Sequence, residues 1–440
     1  MSEYSEIYEE FFDAPTTNFN GVSYGNVAGR RVCLVDLAVC QTDRQTNLVG
    51  LTAQRIKLFR EAACEKIPVV IWFSGDTDTS QTKVDPSAGR LFLDAEGGIG
   101  ALYAAIASCA GRTTLVSILT GAPRHSRSFP FALSDICIFV RDATISLGKD
   151  DLVNLLLKEE NNPAFYGYEF HSKVTGLADM EASDVSTAFQ LAKQYLLSTV
   201  ENTDIQSGFH VENNRNKLEE IIPSNPMNAF DIHQAIEVIL DQKGFLEIRP
   251  KFAPEVVTGY GTVDGVRLSI VANNSTVNGG LIFPDAARKI ARHISLAAVY
   301  RLPIVFFVDT GGFMIGSQAE KNSIMNAAAA LFIALENCTS PKLSIVLRRG
   351  YSAGLYAMAG PGFADQLAAL PNSKLGIVSS RLSSKMRIEK STTIPQPISP
   401  ESASDYEILK PENVSSYIKE FATNPKYAKK WRDYELVMPR

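Results

Sequence analysis

The chain contains two copies of one pattern, and this internal duplication constrains its fold more than any other feature. Both copies open with Tyr-Gly-Xaa-Val-Xaa-Gly, at Tyr24 and at Tyr260. Two further pairs of segments follow in the same order: IPVVIWFSGDT with LPIVFFVDTGG, then TTLVSILTG with KLSIVLRRG. A long, ordered period of this kind predicts two copies of one folding unit and not a short-repeat solenoid.

Strand-like and helix-like segments alternate within each copy. In the first copy, the apolar pattern predicts strands at 31–37, 69–73, 114–119 and 136–140 and helices at 51–66, 99–110, 150–159 and 184–199. The second copy repeats the plan, with strands at 266–272, 304–308 and 343–347 and with helices that begin at Pro284 and near residue 322. Such alternation is typical of parallel pairing, so we predict an α/β fold for each copy.

The composition is that of an ordinary soluble globular protein. Of 440 residues, 45% are hydrophobic and 21% are charged, and the formal net charge of −5 does not favour a surface built for polyanions. The apolar runs are shorter than the roughly 20 residues that cross a bilayer. The acidic N-terminus does not resemble a secretory or transit signal, so we predict a cytoplasmic protein. The cysteines and histidines lack metal-ligand spacing, and no metal site is predicted.

The two copies also suggest how the chain is divided. We assign residues 1–215 to the first unit, 216–385 to the second unit and 386–440 to a polar C-terminal tail. A segment rich in proline and asparagine, which then becomes helical, connects the two units. After about Ser380 the chain is polar and contains several prolines, which predicts a tail that lies on the surface or on a partner and has no core of its own.

Two glycine-rich turns in the second copy are the best candidates for chemistry. They are VDTGGFMIG, residues 308–316, and RRGYSAGLYAMAG, residues 348–360. In both, a buried strand ends in glycine and small residues at the start of a helix, which leaves backbone N–H groups without partners. Two such turns that face each other form an oxyanion hole, which suits an enolate or a tetrahedral oxyanion. The spacing alone is equally compatible with glycines that only make turns.

Four segments carry a resemblance to a known family: HSKVTGLAD, IIPSNPMNAFDIHQAIEVILD, GLIFPDAARKIARHISLAAVYRLPIVFFVDTGGFMIG and GYSAGLYAMAG. In this order they resemble the carboxyltransferase subunits of biotin-dependent acyl-CoA carboxylases, in the crotonase superfamily. The forms concerned are the propionyl-CoA and methylcrotonyl-CoA carboxylase beta type and the glutaconyl-CoA decarboxylase alpha type. The resemblance covers roughly residues 20–380. It implies tandem crotonase-like (ClpP/crotonase) units, each a β-β-α spiral with helices packed around the sheet.

The resemblance also implies a mechanism. A biotin carboxyl carrier protein, loaded by a biotin carboxylase, brings carboxybiotin to a site between units of different subunits, so at least a homodimer is expected. The carboxyl group moves to an acyl thioester of coenzyme A or of an acyl-carrier protein, through an enolate that is stabilised by an oxyanion hole. A hole in the first unit would hold the thioester oxygen. A second hole would hold the ureido oxygen of biotin, through amides near Gly312 and Phe313 and near Ala353 and Gly354.

The first unit departs from the family pattern. The family has Ser-Gly-Gly-Ala after the strand, where this chain has Ser-Gly75-Asp76-Thr. The family's other turn carries paired glycines, where this chain has Ser126 and Arg127. Arg127 is a candidate to pair with a substrate carboxylate or phosphate, and His125 or Asp76 is a candidate to move protons. The alternative is a shifted loop in which other amides hold the thioester.

Three functions therefore stay open at this point. The first is a carboxyltransferase that uses biotin. The second is a biotin-independent crotonase-like decarboxylase, lyase or hydrolase with a remade first-unit site. The third is a catalytically degenerate subunit that supports an active carboxyltransferase.

Overall fold

A computed structural model describes most of the chain. The described residues are 10–14, 16, 18–37, 48–75, 92–124, 128–148, 150–158, 162–202, 217–242, 244–390 and 395–428. They form two compact units, of which the first ends at Leu197 and the second begins at Ser198. The boundary predicted after residue 215 falls in the segment 203–216, outside the described residues.

The first unit is a seven-stranded sheet with helices. Its strands are β1 Asn18–Phe19, β2 Val22–Val27, β3 Arg30–Asp36, β4 Val69–Phe73, β5 Leu115–Leu119, β6 Ile136–Val140 and β7 Met180–Ala182. Its helices are α1 Leu48–Glu65, α2 Ile99–Ala107, α3 Phe129–Ala132, α4 Asp150–Leu157, α5 Tyr168–Phe170 and α6 Val185–Ser198, with a 3-10 turn at Pro163–Phe165 and a π-helix at His171–Thr175. The strands lie in chain order; β1, β2 and β3 pair antiparallel, and β3 to β7 pair parallel.

The second unit repeats this plan. Its strands are β8 Leu246–Ile248, β9 Val256–Val263, β10 Val266–Asn273, β11 Ile304–Thr310, β12 Lys342–Tyr351, β13 Gln366–Ala369, β14 Lys374–Gly376 and β15 Glu407–Ile408. Its helices are α7 Leu218–Ile221, α8 Ile232–Ile239, α9 Pro284–Val299, α10 Ser317–Lys321, α11 Ile324–Asn337, α12 Ser352–Ala357, α13 Ser380–Lys390, α14 Val414–Thr423 and α15 Pro425–Ala428, with 3-10 turns at Asn278–Gly280, Pro400–Ser402 and Pro411–Asn413.

The second sheet has the same order as the first. An antiparallel group of β8, β9 and β10 leads into the parallel strands β11, β12 and β13, and β14 pairs beside β12. The repeated Tyr-Gly motifs occupy equivalent places, because Tyr24 lies on β2 and Tyr260 on β9, the strand before the first parallel pair in each sheet. The prediction of two copies of one α/β unit is therefore confirmed.

The run Ile304–Val308 of β11 is apolar because both faces of the second sheet are covered there. Val305 and Phe307 of β11 belong to the core on one face, which α8 and α14 cover. Their neighbours Phe306 and Val308 belong to the core on the other face, against α9 and α11. A parallel strand buried on both sides has no polar face, which explains the uninterrupted apolar run.

The expectation of a surface tail without a core is wrong for residues 407–428. β15 pairs with β13 at the edge of the second sheet. Val414, Ile418 and Phe421 of α14 belong to the hydrophobic core of the second unit, together with Tyr427 of α15. The reason lies in their spacing: three apolar residues at i, i+4 and i+7 form one face of a helix in an otherwise polar segment.

None of the helices among the described residues combines the length and the apolar character needed to cross a bilayer.

Candidate functional site

The two glycine-rich turns of the second unit follow neighbouring parallel strands. β11 ends at Thr310 and continues into Gly312, whose φ of +126° is unfavourable for any residue with a Cβ. β12 ends at Tyr351 and passes into α12 through Ser352, whose φ is +57°. Because parallel strands end at the same edge of the sheet, both turns lie at that edge.

The two turns are in direct backbone contact. A Cβ added at Gly354 would lie 2.5 Å from the Cα of Gly312 and 2.9 Å from its carbonyl carbon. A Cβ added at Gly312 would lie 3.4 Å from the Cβ of Ser352. The absence of side chains at Gly312 and Gly354 therefore sets how closely the turns approach. The structure thus brings together the four residues predicted for this unit, Gly312, Phe313, Ala353 and Gly354.

The hydrogen bonds of the first turn show which amide is available. The Gly312 N–H donates to the hydroxyl of Thr310 at 3.1 Å, so it is already committed. The N–H of Ile282 donates to the Gly312 carbonyl at 3.0 Å, and the N–H of Met314 donates to the Ile282 carbonyl at 2.9 Å. These two hydrogen bonds form a parallel β-bridge between Ile282 and Phe313, in which the N–H of Phe313 points away from Ile282. No described residue accepts a hydrogen bond from the N–H of Phe313.

The second turn offers a further amide. Ala353 lies in the first turn of α12, where backbone N–H groups have no intrahelical acceptor. It is half-buried, as is Phe313, whereas Gly312 and Gly354 are buried. The geometry thus separates two roles within the predicted residues: Phe313 and Ala353 present N–H groups, and Gly312 and Gly354 allow the close approach.

Aromatic packing fixes the first turn against α11. The ring of Phe313 lies edge-on to that of Phe332, with centroids 6.1 Å apart. Phe332 stacks in turn on Phe363, with centroids 5.6 Å apart and an angle of 9° between the planes. The side chain is held by these contacts, and the backbone on both sides of Phe313 is held by the two hydrogen bonds with Ile282.

A buried ionic cluster lies next to the two turns, at the ends of β11 and β12. Asp309, at the end of β11, is fully buried and accepts from two guanidinium groups: Nη2 of Arg348 at 2.7 Å and Nε of Arg349 at 2.8 Å. Arg349 also donates to the Gly279 carbonyl at 3.2 Å. One carboxylate between two guanidinium groups leaves one positive charge in excess beside the turns, which favours an anion there.

Arg348 joins this cluster to the rest of the unit. Besides Asp309, it donates to the carbonyl of Asn228 and to the hydroxyl of Ser275, and it lies over the ring of Phe230 with the guanidinium carbon 5.1 Å from the centroid. The segment before α8 is thereby tied to the end of β12. Asp309 and Arg348 lie within the two quoted glycine motifs, but no pattern in the sequence marks either of them as part of the site.

The first unit has an equivalent contact between strand ends. Gly75, just after β4, is half-buried. A Cβ added at Gly121, just after β5, would lie 2.4 Å from the carbonyl oxygen of Gly75. The Gly121 N–H donates to the Phe73 carbonyl at 3.1 Å. In the repeated segments Gly75 and Gly121 correspond to Thr310 and Gly350, which also pair where β11 and β12 end.

The remaining first-unit candidates, Asp76, His125, Ser126 and Arg127, lie outside the described residues. Within the part of the chain that the structure describes, no group of three or more His, Cys, Asp or Glu side chains is arranged to hold a metal ion.

Comparison with known proteins identifies the family. The family model described as "Carboxyl transferase domain" matches residues 20–390. The chain is 31% identical over 368 residues to the uncharacterized carboxylase YngE of Bacillus subtilis, covering 80% of this chain and 69% of that protein. It is 27% identical over 330 residues to the propionyl-CoA carboxylase carboxyltransferase subunit of Haloferax mediterranei, covering 72% of this chain and 64% of that protein.

Solved structures show the same fold. Transcarboxylase 12S, crystallised as a hexamer with hydrolysed methylmalonyl-coenzyme A, superposes with a TM-score of 0.82 at 20% identity, over 97% of this chain and 89% of that one. A single-chain, multi-domain long-chain acyl-CoA carboxylase superposes with a TM-score of 0.76 at 25% identity, over 91% of this chain and 41% of that one. These findings confirm the duplicated crotonase-like fold and the prediction of a carboxyltransferase-type enzyme. The chain belongs to the carboxyl transferase domain family.

Proposed function

We propose that this chain moves a carboxyl group between carboxybiotin on a carrier protein and an acyl thioester. The family assignment supports this proposal, because relatives carry the names propionyl-CoA carboxylase and methylcrotonoyl-CoA carboxylase. The observation that carries it is the contact between Gly312 and Gly354, which places two turns with uncommitted amides side by side.

The residues of this site fit a carbonyl oxygen of biotin. When bound, carboxybiotin supplies the carboxyl group and offers a ureido oxygen that can accept two hydrogen bonds. The N–H groups of Phe313 and Ala353 would donate to that oxygen. Their directions are set by the backbone hydrogen bonds with Ile282 and by the start of α12, so little reorganisation is needed as negative charge develops.

The charged cluster behind the turns supports the same role. Asp309 and its two arginines place a positive charge beside the hole, and Asp309 is shielded from water. A charge in a poorly hydrated site acts more strongly than one in water. The cluster would therefore stabilise an oxygen that gains negative charge without exchanging a proton with it.

The acyl thioester would bind in the first unit. Gly75, just after β4, would contribute its backbone, and the candidates Asp76, His125, Ser126 and Arg127 would contact the substrate. Coenzyme A or an acyl-carrier protein would present the acyl group. A biotin carboxyl carrier protein and a biotin carboxylase would be partners, within a homodimer or higher oligomer.

A carboxyl-transfer assay, run in reverse with free biotin and a panel of carboxylated acyl-CoA thioesters, tests the proposal. The wild-type chain should transfer the carboxyl group of at least one of these thioesters to biotin and release the decarboxylated acyl-CoA, and Gly312→Val should abolish that activity. Gly362→Val is the matched control, because Gly362 also has a positive φ, +94°, but has no neighbour within 4 Å of an added Cβ. The control should lose stability through the same backbone strain and keep its activity.

The outcomes separate the three functions considered above. Turnover of a carboxylated thioester without biotin would replace the proposal with a decarboxylase. Activity that appears only when a homologous subunit is added would indicate a supporting subunit. Full activity of Gly312→Val would remove the second-unit turns from the mechanism.

A further inference from the structure

Ser352 stands in an unusual conformation between the two turns. It is the first residue of α12, directly after β12, and its φ of +57° is the left-handed region that favours glycine. A serine there is strained relative to glycine, by an amount on the order of 1 kcal/mol. Strained residues persist where the surrounding structure fixes them, and they cluster at functional sites.

The side chain of Ser352 lies beside the first turn. A Cβ added at Gly312 would be 3.4 Å from the Cβ of Ser352 and 3.8 Å from its hydroxyl oxygen. Ser352 also precedes Ala353, which presents the amide of the second turn. The hydroxyl therefore stands close to both turns, at the same edge of the sheet as the amides of Phe313 and Ala353.

This hydroxyl is exposed and uncommitted. Among the described residues, none forms a hydrogen bond with the Ser352 side chain, although many other serine hydroxyls of this unit have one, such as Ser275 and Ser344. The residue therefore carries backbone strain that no internal hydrogen bond of its side chain offsets. The hydroxyl of Ser352 is therefore available to form a hydrogen bond with a ligand.

We propose that Ser352 is a further binding residue, whose hydroxyl donates a third hydrogen bond to the oxygen held by the amides of Phe313 and Ala353. This inference rests on the proposed function, because it assumes that biotin binds at these turns. An alkoxide-like oxygen has room for three donors, whereas a neutral ureido oxygen commonly accepts two. The third donor therefore acts most strongly as negative charge develops on that oxygen.

Two substitutions at this residue separate the hydroxyl from the strain. Ser352→Ala removes the hydroxyl and keeps the Cβ, whereas Ser352→Gly removes both. Both variants should lower kcat by about 100-fold to 1,000-fold, because each loses a donor to the developing charge. Binding of free biotin, measured by calorimetry, should weaken by about five-fold, as expected for one lost neutral hydrogen bond. Only Ser352→Gly should melt at a higher temperature than the wild type.

Ser323 provides the matched control. It is also an exposed serine with a positive φ, +63°, but it lies before α11 and outside the two turns. Ser323→Gly should relieve strain in the same way and leave both kcat and biotin binding unchanged.

The results distinguish this inference from the proposed function. If Ser352→Gly is more stable than the wild type and retains its full kcat and biotin affinity, Ser352 only makes a turn and the inference fails. If the wild type neither binds biotin nor transfers a carboxyl group, the proposed function fails first.

Discussion

The contact between Gly354 and Gly312 predicts the effect of a single methyl group. In Gly354→Ala, the new Cβ would lie 2.5 Å from the Cα of Gly312, 2.9 Å from its carbonyl carbon and 3.1 Å from its nitrogen. All three neighbours are backbone atoms, so no side chain can rotate away to make room.

The size of the effect follows from ordinary contact distances. Non-bonded carbon atoms prefer a separation of about 3.5–4.0 Å, so the two turns must move apart by roughly 1 Å. Forcing an extra methyl group into packed structure costs about 1–3 kcal/mol. A displacement of about 1 Å in a catalytic site can also reduce the rate about 100-fold. We therefore expect a moderate loss of stability and a larger loss of activity.

Urea unfolding and the carboxyl-transfer assay measure these two effects separately. Gly100→Ala in α2 is the control, because an added Cβ there has no neighbour within 4 Å. In a helix that change should leave stability unchanged or raise it by up to about 1 kcal/mol. Its activity should equal that of the wild type.

One outcome contradicts the reasoning directly. If Gly354→Ala unfolds at the wild-type urea concentration and keeps the wild-type kcat/KM, the close approach of the turns is not required. If stability falls but activity does not, the contact serves the fold alone, and the amides act without a fixed separation.

Three further predictions concern the second unit. Asp309→Asn should lower the free energy of unfolding by about 3–5 kcal/mol, because it leaves a buried guanidinium group without its carboxylate; urea unfolding checks this. Phe421→Ala should cost about 3–5 kcal/mol in the same experiment if α14 belongs to the core, whereas a surface tail would show almost no change. The hydrogen bond to Glu247 raises the pKa of His233 to about 9, above its unfolded value of about 6.5. Its stabilisation is complete below about pH 6.5 and is lost as the pH rises through 9, so His233→Gln should destabilise the chain near pH 6 and have little effect near pH 10.

Much of the fold could be predicted because its strands are buried on both faces. The predicted strands at 69–73 and 136–140 coincide with β4 and β6. The prediction at 343–347 was too short, since β12 continues to Tyr351 and carries Arg348 and Arg349 within the strand. Charged residues at a strand end are typical of a loop in the sequence, whereas in the structure backbone pairing with β14 extends the strand through Arg349, and Asp309 neutralises part of its buried charge.

The α14 helix shows a signal that the sequence did contain. Its apolar residues are spaced as on one helix face, but they lie in a polar segment with several prolines. Average composition favoured a tail, whereas the local period favoured a packed helix. For a segment of this kind the period is the better guide, because a few aligned side chains are enough to attach a helix to a core.

The details of the candidate site depend on tertiary contacts that no local pattern specifies. The sequence indicated glycine turns at Gly312 and Gly354, but it could not show that the Gly312 N–H is committed to Thr310. The conformation of Ser352 was equally hidden, because serine rarely adopts a positive φ. Which amides remain available is a property of the folded turns and not of the motif.

The two units share a close approach between neighbouring strand ends, but the available amides do not come from it. In the repeated segments Gly75 and Gly121 correspond to Thr310 and Gly350, which pair at the ends of β11 and β12, so this approach follows from the repeated fold. The Gly121 N–H donates to the Phe73 carbonyl, as expected for a residue that continues the strand pairing. The amides of Phe313 and Ala353 lie beyond the paired strand ends, in the turns that follow β11 and β12. The donors of the candidate site are therefore a property of these turns and not of the strand pairing that the two units share.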